Sequence, residues 1–391
     1  MSQDYNTLGE VVRAYWPIGA VALAVSAVTT PLCRRFALAH AIVDRPDEHL
    51  KPHKRPIPYL GGVAIFLGWV AGILVALTRW GGQVPFEPQP GGPALPAWPT
   101  VGVLIAGLGI TCLGLFDDLR MASPKAKLMV GALVAVLLAA FGIGDDTLLL
   151  LLRSTGTDPG DLPRWLVLIY SLPLTIFIVL GACNATNLID GLDGLCSGVL
   201  GIMSVGFLVL AVHLHLWNQW HPLDVQRVVL CLAMMGAALG FLPYNRNPAR
   251  IFMGDAGSML LGLNVAILLL LFAKSIALRW MAAALMMFAL PLGDMLLTLA
   301  RRWRYERPLM QGDRSHFYDQ LIDRGWPVKR VVRVSYALAA FFALMGCAPI
   351  YLRLRYLVPL YLLVAVAVMV LIRKQRMVRV EKPARTPLTS R

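Results

Sequence analysis

The chain has 391 residues, 58% of them hydrophobic and only 15% charged, with a mean hydropathy of +0.65. A soluble domain carries about a quarter charged residues, so the composition excludes a soluble globular protein and predicts an all-α polytopic membrane protein. The net charge of +14 is spread over short segments between apolar runs rather than gathered on a domain, so no nucleic-acid partner is expected.

Apolar runs near residues 16–32, 59–78, 100–116, 127–143, 165–181, 194–212, 228–243, 256–273, 281–298, 333–350 and 355–372 predict eleven transmembrane helices. The N-terminal segment carries acids and lacks the basic n-region and small-residue cleavage site of a signal peptide, so the first span reads as an anchor. With eleven spans the connecting segments alternate sides, and 27 of the 36 Lys and Arg fall on the side holding residues 33–58, 117–128, 244–255, 299–333 and the C-terminal tail. The positive-inside rule makes that side cytoplasmic, with the N-terminus outside and the C-terminus inside. The six cysteines show no CxxC pair and read as small packing residues, not as a disulfide framework or a zinc site. No repeat and no soluble segment with its own core is visible, so residues 1–391 form one domain. The outer segments 79–99 and 144–164 read as a Gly/Pro-rich connector and a solvated turn.

The cytoplasmic segments hold the chemistry. Residues 44–62, DRPDEHLKPHKRPIPYLGG, set Lys51, His53, Lys54 and Arg55 among prolines that keep the segment out of a helix. That is a basic lip suited to a phosphate. At the end of the third span, GLFDDLRMASPKAK places Asp117 and Asp118 side by side, which is expensive unless they face a cation, a cavity or water.

The stretch NATNLIDGLDG steps Asn184, Asn187, Asp190 and Asp193 by three residues. A helix there would put neighbours about 60° apart on a shared polar face. Asp255 in FMGDAGS stands at the mouth of the eighth span, as an N-cap, a metal ligand or both. Residues 299–327 carry an arginine cluster with Arg314 and His316 in GDRSH, donors for an anionic ligand. Carboxylates, amides and basic groups on one membrane face indicate phosphoryl chemistry on a lipid carrier. A secondary transporter is the rival class. It would place its charges near the midplane of two repeated halves, a pattern absent here.

In this order and spacing the motifs DxPxxxxKPHxxPxPxxGG, FDDL, NATNLIDGLDG, FMGDAGS and DRSH resemble the polyprenyl-phosphate N-acetylhexosamine-1-phosphate transferases, from about Asp44 to Gly325. The resemblance implies transfer of a sugar-1-phosphate, most simply GlcNAc-1-phosphate, from a UDP-N-acetylhexosamine to undecaprenyl phosphate, releasing UMP. It implies Mg²⁺, with Mn²⁺ as the alternative ion, a site on the cytoplasmic face of a bacterial inner membrane, and contact with membrane lipid. A homodimer is among the oligomeric states left open.

The resemblance also implies residue roles. Asp255 and Asn187 bind the metal, and Asp117, Asp118, Asp190 and His316 belong to the catalytic centre. Asn184 and Asp193 shape the nucleotide pocket. Arg314 joins His316 on the diphosphate, while Lys51, His53 and Lys54 hold the lipid phosphate. A phosphate monoester loses its second proton near pH 6, so Asp117 and Asp118 are expected to position the acceptor more than to deprotonate it. An aspartyl-phosphate intermediate is the alternative. The fifth motif has HFYDQL where some members have a run of histidines, which favours a smaller UDP-sugar over UDP-MurNAc-pentapeptide.

Overall fold

The computed structural model describes residues 7–44, 56–80, 95–154, 162–217, 222–274, 278–306, 316–375 and 377. Helix α1 (Leu8–Ala39) leads to a short antiparallel ribbon, β1 (Val43–Asp44) with β2 (Ile57–Pro58). There follow α2 (Gly61–Trp80), α3 (Ala97–Arg120), α4 (Pro124–Ala140), α5 (Thr147–Ser154), α6 (Arg164–Leu188), α7 (Leu195–Trp217), α8 (Pro222–Asn245) and α9 (Gly254–Ala273). The chain continues through α10 (Leu278–Met287), α11 (Ala289–Arg304), α12 (Phe317–Asp323), α13 (Val328–Gly346) and α14 (Leu354–Lys374).

Each of the eleven apolar runs falls on a helix, and the chain is a multi-pass membrane protein. Among the described residues nine helices are long and apolar enough to cross a membrane: α1, α2, α3, α6, α7, α8, α9, α13 and α14. Two runs deviate from the straight-span expectation. Helix α4 has 17 residues, about 26 Å of rise at 1.5 Å per residue. The run 281–298 is two helices, α10 and α11, bent by 74°. Pro291, in the first turn of α11, has no N–H to bond back to residue 287, so the ladder breaks where the chain turns.

Helix α9 is the axis of the molecule. Every residue from Ala256 to Ala273 is buried, the mark of a helix apolar on all faces, and α2, α3, α6, α8 and α10 pack round it. Its polar N-terminus therefore opens at one end of the bundle, ringed by the ends of its neighbours. At the opposite end the segment 144–164 corrects the solvated-turn reading. Its leucine run forms α5, and Lys274 pairs with Asp145 at 2.9 Å and Asp146 at 3.3 Å. Asp158 and Asp161 lie outside the described residues.

Candidate active site

The site is built on the N-terminus of α9. Gly254 has φ +66°, a left-handed turn that glycine adopts without strain. The first motif reaches this turn through backbone bonds: Gly61 N–H donates to Phe252 O at 3.0 Å and Gly62 N–H to Met253 O at 2.9 Å. A Cβ on Gly62 would lie 2.7 Å from the Ala256 carbonyl carbon, and one on Gly114 of α3 would lie 2.5 Å from Ala256 Cα. Gly61 and Gly62 thus bring α2, and Gly114 brings α3, against the mouth of α9 at backbone contact.

Asp118 accepts the N–H of Asp255 at 2.8 Å and of Ala256 at 3.2 Å. It caps α9 from a different helix, where a carboxylate meets the unpaired N–H groups and the positive end of the helix dipole. This corrects the expectation that Asp255 caps α9. Met253 holds the cap position without a side-chain bond, and Asp255 sits inside the first turn, its carboxylate released for the site.

Asp117, one residue earlier, points another way. Its Oδ1 accepts Ala122 N–H at 2.7 Å across the left-handed turn at Met121, and its Oδ2 meets Lys127 Nζ at 2.5 Å. The same ammonium lies 2.6 Å from Asp255 Oδ2. Lys127 therefore bridges the second and fourth motifs, a role that its place in SPKAK alone does not reveal. Asn187, near the end of α6, donates to Asp255 Oδ1 at 2.8 Å and to Ser258 Oγ at 3.0 Å.

The stretch NATNLIDGLDG is a helix end followed by a turn, not one continuous polar face. Helix α6 stops at Leu188, and Asp190 and Asp193 lie in the turn that ends at Gly194, φ +76°. Asn184 is exposed and folds back on the Leu180 carbonyl at 2.7 Å. Asp193 Oδ2 accepts from Asn247 Nδ2 at 2.8 Å and Ala249 N at 3.0 Å, pinning the segment before α9. Asn245 ties the same two segments together, accepting from Gly194 N–H at 3.0 Å and donating to Ile251 O at 3.1 Å.

Asp190 differs from its neighbours. No described residue gives it a hydrogen bond or an ion pair, and it faces Asp255, Asp118 and Asp193. Burial first, and those carboxylates second, push its carboxyl well above the usual range. Asp118 and Asp190 thus lie near Asp255, which shares the Lys127 ammonium with Asp117. A hard divalent cation suits such an oxygen-rich set. No three acidic, His or Cys side chains among the described residues already converge as ligands.

His316 is buried at the start of α12, its Nδ1 2.7 Å from Asp294 Oδ2. Its ring stacks on Tyr318 at 5.3 Å, and the Tyr318 hydroxyl donates to Leu188 O at 2.8 Å, beside the Asp190 turn. Sequence reasoning passed over Asp294, although a lone carboxylate inside the apolar run 281–298 was the signal for it. Lys51, His53, Lys54 and Arg314 lie outside the described residues.

Residues 100–273, from α3 through α9, match the profile of Glycosyl transferase family 4. A "Probable undecaprenyl-phosphate N-acetylglucosaminyl 1-phosphate transferase" of Bacillus subtilis is 31% identical over 327 residues, covering 83% of this chain and 82% of that protein. A "Decaprenyl-phosphate N-acetylglucosaminephosphotransferase" of Mycobacterium tuberculosis is 31% identical over 368 residues, 90% and 86% of the two chains. A "Phospho-N-acetylmuramoyl-pentapeptide-transferase" of Thermodesulfovibrio yellowstonii is 31% identical over 339 residues, 80% and 85%. With identity at this level over most of both chains, this protein is a member of glycosyl transferase family 4.

Proposed function

We propose that the protein transfers GlcNAc-1-phosphate from UDP-GlcNAc to undecaprenyl phosphate at the cytoplasmic face of a bacterial inner membrane, the opening step of a cell-surface polysaccharide. The observation that carries this reading is the gathering of Asp117, Asp118, Asp190, Asp255 and Lys127 at one end of an apolar bundle. A water-soluble donor reaches that end from solvent, and a polyprenyl chain reaches it from the bilayer. The basic bias of the segments on that side supports its cytoplasmic placement, with the N-terminus outside.

In the reaction an oxygen of the lipid phosphate attacks the sugar-linked phosphorus of the donor. The bond from that phosphorus to the bridging oxygen breaks, and UMP leaves with the bridging oxygen. Reactants and products carry like charges, so the work of the site is positioning and neutralisation. The residues that would hold Mg²⁺ are Asp255, Asp190 and the amide oxygen of Asn187. When bound, the ion supplies positive charge between the two anionic substrates. Lys127 supplies a fixed positive charge beside Asp117 and Asp255, and Asp118 keeps Asp255 in register through the backbone. His316, held on Asp294, and Arg314 are the donors to the diphosphate. Of Asn184 and Asp193, the second reads best as shaping the pocket through the 246–250 segment.

The test is UMP release by detergent-solubilised protein given Mg²⁺, undecaprenyl phosphate and a panel of UDP-amino sugars that includes UDP-GlcNAc and UDP-MurNAc-pentapeptide. Turnover with UDP-GlcNAc that stops on adding EDTA is expected. Preference for the pentapeptide donor moves the reading to that substrate, and activity that survives EDTA removes the metal. Failure with every donor removes the reaction.

A further inference from the structure

Asp294 lies in α11, just past the bend, and is 4% exposed. Both of its oxygens are engaged with one neighbouring segment. Oδ2 is 2.7 Å from His316 Nδ1, and Oδ1 accepts the N–H of Phe317 at 2.9 Å. Phe317 opens α12, whose cap residue, His316, makes no side-chain cap bond of its own. The carboxylate thus caps α12 from another helix while it grips the imidazole.

Two further contacts fix the ring. Thr298 Oγ1, which receives Arg301 Nη2 at 3.1 Å, stands 3.4 Å from the same His316 nitrogen. Tyr318 stacks on the imidazole, the planes 10° apart, and its hydroxyl bonds to Leu188 O. Gly191 leaves room for that phenol, since a Cβ there would run into its ring and hydroxyl. The chain of contacts from Asp294 through His316 and Tyr318 ends on the turn that carries Asp190. A carboxylate only accepts hydrogen bonds, so the nitrogen facing it bears the proton. Among the described residues Nε2 has no partner.

We infer that Asp294 is a positioning residue: it holds His316 through a proton on Nδ1, so that the second proton of the imidazolium sits on Nε2, the ring atom that donates to the donor diphosphate. The inference rests on the function proposed above for the role of Nε2, but the Asp294–His316 contact is testable without it. Asparagine at 294 keeps an oxygen for the Phe317 N–H and turns an NH₂ toward His316. The cap survives while the tautomer is forced over, so Asp294→Asn separates folding from positioning.

Full-length protein labelled with ¹⁵N-histidine, studied by NMR in detergent at alkaline pH, reads the tautomer directly, with His316→Asn identifying the resonance. A protonated Nδ1 and bare Nε2 are expected in the wild type, and the reverse in Asp294→Asn. In the transfer assay Asp294→Asn is expected to lower kcat by about 10²-fold. Added to His316→Asn it should lower it by less than about 2-fold, since the two residues act as one unit. A bare Nδ1 in the wild type overturns the inference without any variant, as do independent losses in the double variant. If no UDP-sugar is turned over, the functional reading fails while the tautomer measurement still decides Asp294.

Discussion

Asp118, at the end of α3, accepts the backbone N–H of Asp255, at the start of α9, at 2.8 Å. Two residues 137 positions apart are thereby joined by a side chain and a helix terminus, and because Asp118 does the capping the carboxylate of Asp255 meets Lys127 and Asn187 instead. Asp118→Ala is expected to lower stability by about 1–2 kcal/mol, the worth of a helix cap, and to reduce turnover by letting the first turn of α9 fray. Asp118→Asn, which keeps one acceptor, should fall between it and the wild type. Thermal unfolding in detergent alongside the transfer assay checks both; a fully stable, fully active alanine variant would remove the cap from the account.

Lys127 is the cation between Asp117 and Asp255. Lys127→Met leaves those carboxylates facing each other, so the variant should be less stable than wild type in metal-free buffer. It should also gain more than wild type from added Mg²⁺, and lose about 10²-fold in kcat/KM if the ammonium supports the transferring phosphate. Melting temperatures with and without Mg²⁺, compared for the two proteins, test the exchange of one cation for another. Equal shifts in both would speak against it.

Asp190 carries a pH signature. Its folded-state pKa lies well above the unfolded value of about 3.9, so the folded chain binds more protons than the unfolded one. Stability from this group is therefore present at low pH and declines as pH rises toward the folded pKa. Asp190→Asn removes that penalty: in metal-free buffer its melting temperature should exceed that of wild type at neutral pH, with the gap closing below about pH 4. Turnover should be lost at every pH. A variant destabilised at neutral pH would mean that Asp190 has a structural partner.

The approach of α3 to α9 depends on Gly114, where an added Cβ would lie 2.5 Å from Ala256 Cα. Gly114→Ala is expected to destabilise the protein by about 1–3 kcal/mol through overpacking and to lower turnover by moving Asp255 relative to Asp117. Gly109→Ala on the same helix, where the nearest atom is an ordinary 3.7 Å away, serves as the control and should behave like wild type.

The sequence by itself determined the class of the molecule and picked out Asp117, Asp118, Asn187 and Asp255, which meet at the mouth of α9. Eleven apolar runs became helices because twenty or so uninterrupted apolar residues in a bilayer have no other way to satisfy their backbone. The motifs FDDL, NATNLIDGLDG and FMGDAGS were legible because paired carboxylates and amides at membrane boundaries are too costly to stand there without use.

Only the tertiary structure decided how those residues divide the work. Spacing counted Asp117 and Asp118 as a pair, yet one binds Lys127 and the other caps α9, because adjacent side chains on a helix point about 100° apart. Spacing set Asn184 through Asp193 on one face, but the helix ends at Leu188 and the turn that closes at Gly194 carries Asp193 onto Asn247. Asp294 stayed hidden since its partner, 22 residues away, meets it only after the bend at Pro291 and the packing of α12. Pairwise contacts between helix ends depend on which helices are neighbours, and local pattern carries no information about that.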